Sequence, residues 1–210
     1  KGFAHNPNPK LIIEKLGENF KIDTASLKKW SVGSPIQSMM DAIEYLLKNN
    51  KFDHKDITEL VVDIPSDRYH IVNDRKILSI SAQHLIAVHL IKKKMGYVEA
   101  HDEKLFNDPE IVSLRKKIKA VSSDELAIAR PERQSKIRIK FSNNKELFYH
   151  AKSVRGTPDN PMDEKDIVAK SKRLLEVFKT GQTDDLIELI LHKNFTSDQL
   201  VKLCNLNLKE

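Results

Sequence analysis

Lys136-Ile137-Arg138-Ile139-Lys140-Phe141, then Asn143-Asn144, then Leu147-Phe148-Tyr149, is the stretch on which the fold class turns. Its strict alternation puts Ile137, Ile139 and Phe141 on one face of a strand and Lys136, Arg138 and Lys140 on the other. Asn143-Asn144 supplies turn residues that tolerate left-handed backbone angles, and Leu147-Phe148-Tyr149 returns as the partner strand. A third strand, Glu59-Leu60-Val61-Val62-Asp63-Ile64, is stopped by Pro65. Around these few strands the pattern is helical. The expected order is helix, strand, helix, helix, hairpin and then three helices. That is an α+β unit followed by an all-helical C-terminal tail, with no βαβαβ run and no internal repeat.

Working outward, Lys10 to Phe20 reads as a short amphipathic helix ending near Gly17. Ser34-Pro35 opens the first strong helix, with Ser34 as N-cap and Pro35 at the first helical position. Ile36, Met39, Met40, Ile43, Leu46 and Leu47 then recur at three- and four-residue spacing and form one buried face. A second helix is expected from about Ser79 to Lys94. A third starts at Asp108-Pro109 and runs through Ile111, Leu114, Ile118 and Val121. After the loop Arg155-Gly156-Thr157-Pro158-Asp159-Asn160-Pro161, one helix covers about Asp163 to Lys179, and Thr183 and Thr196 cap two shorter ones. Leu174, Leu175, Phe178, Leu186, Leu189 and Ile190 are expected to form an apolar stripe that the α+β unit alone does not cover.

The 210 residues are 40% hydrophobic, enough for a real core, and the formal net charge is +6. A modest basic excess suits anionic ligands in general and does not choose among them. The single cysteine, Cys204, excludes an intrachain disulfide framework and a multi-cysteine metal site, and reads as a free thiol in a reducing cytosol. Polar residues interrupt every hydrophobic stretch before membrane-spanning length, and no signal peptide is recognisable. A cytoplasmic, non-membrane protein is expected. The chain opens on Lys1 with the Pro/Asn-rich run His5-Asn6-Pro7-Asn8-Pro9, and is expected to begin inside a longer gene product.

The eight histidines do not show metal-ligand spacing. His84 and His89, five apart on one helix, project about 140° from each other, so they share no ligand face. No metal is predicted. GxGxxG, GxxxxGK[ST] and GxSxG are all missing. The basic clusters Lys92-Lys93-Lys94 and Arg115-Lys116-Lys117-Lys119 have no interleaved aromatics, and read as solvated helix ends rather than a nucleic-acid surface. Most unusual is Lys28-Lys29-Trp30-Ser31-Val32-Gly33-Ser34-Pro35, which places the only Trp and two lysines just before a helix N-terminus. Free N–H groups and the positive dipole end there suit an anion. An ordinary loop with Trp30 lidding the core is the equally weighted alternative.

Three segments resemble the MmgE/PrpD family. In the first, Lys28, Trp30, Gly33 and Asp41-Ala42 match a lysine, an aromatic, a small-residue turn and an Asp-Ala pair on a helix. In the second, Ile80 to Ile91 is similar to the family's Phe-Ser-Leu-Pro-Tyr-like helix. The third, Gly156-Thr157-Pro158-Asp159-Asn160-Pro161-Met162, is close to its Gly-x-Pro-x-Asn-Pro-Met loop, with Lys170 and Leu174 following. The resemblance implies a lead-in linker over 1–27, an α+β lid domain over 28–155, and a helical tail over 156–210 that packs on an N-terminal helical domain absent from this chain. It implies a C-terminal portion of a cofactor-independent lyase, acting on a small di- or tricarboxylate by proton transfer beside a carboxylate. Family members dehydrate 2-methylcitrate, decarboxylate cis-aconitate or epimerise iminodisuccinate.

From the same resemblance, Lys28 and His84 are the expected catalytic residues, and Trp30, Gly33, Ser34 and Gln37 the expected substrate-binding ones. Lys28 falls on the family's active-site lysine, where it can pair with a carboxylate or move a proton. His84 stands where many members have tyrosine, and Gln37 where histidine is common. Imidazole titrates near about 6.5 and phenol near about 10, so these departures mark a divergent branch. The two side chains are expected to face one concave surface. A homodimer is expected, without nucleic-acid or membrane partners and without a cofactor. The alternatives are an epimerase or isomerase of the same family, and a non-catalytic anion-binding module that keeps the fold.

Overall fold

The structure is a computed structural model that describes residues 8–18, 20–175, 183–192 and 195–204. In chain order, α1 (Lys10–Ile13) and a 3-10 turn at Lys21–Thr24 lead to a second 3-10 turn, Ser34–Ile36, and then to α2 (Gln37–Asn49). Strand β1 (Ile57–Pro65) runs straight into α3 (Ser66–Val72), and a 3-10 turn at Leu78–Ile80 precedes α4 (Ala82–Lys92). Next come α5 (Tyr97–His101), a 3-10 turn at Glu103–Asn107, α6 (Pro109–Arg115), β2 (Ile118–Ser123) and α7 (Asp124–Ile128). The hairpin of β3 (Ser135–Phe141) and β4 (Glu146–Ala151) is followed by α8 (Glu164–Leu175), α9 (Thr183–His192) and α10 (Ser197–Cys204). This is an α+β architecture. No described helix is long and apolar enough to cross a membrane.

One four-stranded sheet, ordered β2-β1-β3-β4, holds the centre. The hairpin forms as its alternation demands, with Ile137 opposite Tyr149 and Ile139 opposite Leu147. Asn144 takes the left-handed turn position at φ +63. Strand β1 pairs antiparallel with β3, Leu60 opposite Ile139. Leu60, Val62 and Ile64 of β1 and Ile137, Ile139 and Phe141 of β3 form a buried face, and α2 packs on β3 and β4. Behind α2 lies α4, in which every residue from Ala82 to Leu90 is buried. A helix that is apolar nearly all round can only be a central one.

Three expectations need correcting. Helix α6 stops at Arg115, and Ile118 to Ser123 is a strand, parallel to β1 with Leu60 opposite Ile118. Ile111, Leu114, Ile118 and Val121 keep helical spacing, but β1 has a second edge that needs hydrogen-bond partners, and the β-branched segment fills it. Pairing is already set at Lys117, whose carbonyl accepts from the Leu60 N–H at 2.9 Å. Ser34 does not cap α2: it begins the 3-10 turn, and Gly33 precedes that turn without a side-chain cap. In the tail, Leu186, Ile187 and Leu189 are buried where α9 packs with α8 and α10, and of the expected α9 stripe only Ile190 is exposed. Phe178 lies outside the described residues. Thr196 does cap α10, through a reciprocal box in which its Oγ1 accepts from Gln199 N and Gln199 Oε1 accepts from Thr196 N.

Candidate functional site

The loop carrying Lys28 is fixed from behind. Leu27 N donates to Gly156 O at 2.7 Å, and the Lys28 carbonyl accepts from Lys170 Nζ. Gly156 sits at φ +92, and a Cβ there would collide with the Leu27 carbonyl. Only glycine permits both the left-handed backbone and this approach. The Gly156 N–H donates to Asn160 O at 2.7 Å, closing the 156–160 turn. The Arg155 guanidinium locks that turn to α8 by pairing with Asp166 and donating to Asn160 Oδ1 at 3.1 Å. On this bracket the Lys28 side chain is exposed.

Beyond Lys28 the chain dives inward. Trp30 is 2% exposed, and its Nε1 donates to Asp41 Oδ1 at 2.7 Å. Gln37, at the start of α2, spends its amide on the same loop. Its Oε1 accepts from Trp30 N at 3.0 Å, while Nε2 donates to Trp30 O at 2.9 Å and Val32 O at 3.1 Å. Gly33 N donates to Ser79 O at 2.8 Å, and a Cβ at Gly33 would come within 2.8 Å of Ile80 Cγ2. The loop is therefore pinned to α2 on one side and to the Leu78–Ile80 turn on the other.

Asp41 is the hub. Its Oδ2 accepts from Arg155 N at 2.9 Å, so it joins the Trp30 loop to the 156–160 turn. Burial pushes its carboxyl above the usual range, against the pull of the Arg155 and Trp30 hydrogen bonds and of Lys29. Lys29 pairs with Glu44 and lies 4.7 Å from the Trp30 ring centroid. Burial would raise the Glu44 carboxyl, but Lys29 and Lys48 outweigh it and hold it below the ordinary value.

The six residues expected in the site divide accordingly. Lys28 presents a cation to solvent. Ser34 is half-buried at the head of the 3-10 turn. Trp30, Gly33 and Gln37 shape the loop, and the Gln37 amide hydrogens are already committed to backbone carbonyls. His84 is placed differently. It has 0% exposure, its ring centroid lies 5.4 Å from that of Phe106, and neither ring nitrogen has a hydrogen-bond partner among the described residues. Burial, assisted by Arg115, lowers its pKa to about 4, so the ring is neutral at neutral pH. A side chain with no accessible surface shares no concave face with Lys28. The expectation that the two converge is corrected: α4 is buried all round, and its His84 side turns toward the Glu103–Asn107 turn.

Sequence reasoning noted Asp41 and Lys170 only as matching positions and assigned them no role. The bond from Asp41 to Arg155 spans 114 positions, and no local pattern signals it. The left-handed Gly156 was the legible part, because a lone glycine before Thr-Pro-Asp-Asn-Pro marks a tight turn. Among the described residues, no group of three or more His, Cys, Asp or Glu is placed to hold a metal ion.

A family model described as the MmgE/PrpD C-terminal domain matches residues 30–194, beginning two positions after Lys28. No curated protein shows significant similarity to the chain.

Proposed function

This chain belongs to the MmgE/PrpD family, as a C-terminal domain, and from that premise we propose that it forms part of a lyase acting on a small polycarboxylate. In dehydration, a C–H proton and a hydroxyl leave as water. In decarboxylation, a C–C bond breaks, CO₂ departs and a proton returns to carbon. Both reactions build negative charge beside a carboxylate, and a fixed cation stabilises such charge most when it is placed before the reaction starts. Lys28 is the residue assigned to that charge. The observation that carries the reading is its mounting: an exposed ammonium on a backbone held by Gly156, Lys170 and, through Trp30, by Gln37 and Asp41. In this reading Trp30, Gly33, Ser34 and Gln37 position the loop, and His84 takes no proton. The substrate's other wall, and a dimer partner, belong to the parent protein.

Replacing Lys28 with Met in the full-length parent enzyme tests the proposal. A cation meeting charge that develops in the transition state predicts a kcat lower by roughly a hundredfold or more. A cation that only grips substrate predicts a raised KM with kcat unchanged. Unaltered kinetics would remove Lys28 from the chemistry altogether.

A further inference from the structure

A cleft of about 450 Å³ opens where the C-terminal ends of α2 and α4 meet α8, and Lys28 does not line it. Its floor is apolar and aromatic, formed by Trp30, Phe52, His89 and Met95. Its rim carries Lys48, Lys51, Lys93, Lys94 and Arg173, against the single carboxylate of Glu44. Lysines at helix C-termini have an ordinary explanation, since they balance the negative end of the dipole. The magnitudes exceed that need. Two helix ends contribute about half a negative charge each, so together with Glu44 and the Glu99 that pairs with Lys94 they offset about three of the five cations.

The pairing pattern points the same way. Lys48 is bound to Glu44 at 3.0 Å and Lys94 to Glu99 at 2.7 Å. Lys51, Lys93 and Arg173 form no salt bridge among the described residues, although Lys93 is close enough to Asp53 to help lower its carboxyl pKa. At the floor His89 is 2% exposed, its Nδ1 has no hydrogen-bond partner among the described residues, and its ring meets the Trp30 ring edge-on at 5.2 Å. Low-dielectric walls under one sign of charge focus the field into the cleft. The volume falls in the small-ligand range.

We propose that this cleft binds a small organic or inorganic anion carrying at least two phosphate or carboxylate groups, at a site that shares Trp30 with the Lys28 loop but is not lined by Lys28 itself. Lys51, Lys93 and Arg173 supply the charge not engaged in a salt bridge, and the Trp30–His89 floor supplies the apolar contact. The proposal does not depend on the lyase reading.

Trp30 is the only tryptophan, so its fluorescence reports on the cleft floor directly. Pyrophosphate and citrate are titrated separately into the 210-residue chain, with acetate at matched ionic strength as control. The expected result is a saturable change for pyrophosphate, citrate or both, weakened by added salt and missing with acetate. The tighter of the two identifies phosphate or carboxylate as the recognised group. A Lys51→Ala, Arg173→Ala double variant, folded by circular dichroism, should raise Kd by roughly tenfold or more, as loss of two charged contacts implies. Lys28→Met should leave the titration unchanged. The proposal is overturned if neither multivalent anion gives a saturable response, if acetate reproduces it, or if Lys28→Met abolishes it while the double variant does not. The last result would place the anion on the Lys28 loop.

Discussion

Trp30 and Asp41 meet through one hydrogen bond, Nε1 to Oδ1 at 2.7 Å, and this bond ties the Lys28 loop to the first long helix. The other Asp41 oxygen holds the Arg155 N–H at 2.9 Å. Replacing Asp41 with Ala leaves two N–H donors without their acceptor, one of them on a buried indole. Unfolding stability should fall by about 2–3 kcal/mol. Urea denaturation should show a lower midpoint at unchanged m. Asp41→Asn keeps one carbonyl acceptor and should lose less. An unmoved midpoint in Asp41→Ala would mean that the loop holds itself without this hub.

His84 invites the opposite experiment. Both ring nitrogens are buried beside Phe106 without a partner among the described residues, and a buried polar group left unsatisfied costs stability that an apolar side chain of similar shape recovers. His84→Leu should therefore stabilise the chain, by about 1–2 kcal/mol. A destabilised variant would show that the imidazole is doing something the fold requires.

Stability should also depend on pH in a defined window. Burial lowers both His84 and His89 from 6.5 to about 4. Between those values the unfolded chain binds protons that the folded chain refuses, so stability is complete above about 6.5 and falls as pH drops toward 4. For His89 alone the loss between pH 7 and pH 5 should be about 2 kcal/mol. Chemical denaturation at the two pH values measures it. A chain carrying His84→Leu and His89→Leu should show a flatter profile, and an equally steep one would assign the effect to other groups.

Gly156→Ala tests the bracket behind Lys28. The substitution adds a Cβ at φ +92, directly against the Leu27 carbonyl. The strain and the collision together should cost about 2 kcal/mol or more. Amide exchange at Leu27, whose N–H is held by Gly156 O, should accelerate more than exchange in the β1–β3 ladder. Uniform acceleration would indicate global destabilisation without a specific link to the loop.

Local chemistry fixed a good deal of this protein in advance. The alternation from Lys136 to Phe141 and the Asn143-Asn144 turn determined the hairpin, because side chains on a strand alternate faces whatever surrounds it. The spacing of Ile36, Met39, Met40 and Ile43 determined the buried face of α2 in the same way. Gly156 and its Pro/Asn-rich neighbours marked the tight turn, and the segment from Lys28 through Asp41, the Ile80–Ile91 segment and the Gly156–Met162 segment carried the family resemblance. Tertiary structure alone decided the rest. Ile118 to Ser123 became a strand because β1 had a free edge beside it, a fact about Leu60 that Ile118 cannot encode locally. Gln37 became a backbone clamp and His84 a sealed core residue because α2 and α4 are packed face to face in the middle of the molecule. Sequence names a side chain's chemistry. Whether that chemistry meets solvent, substrate or the interior depends on which elements close over it, and those contacts join residues scores of positions apart.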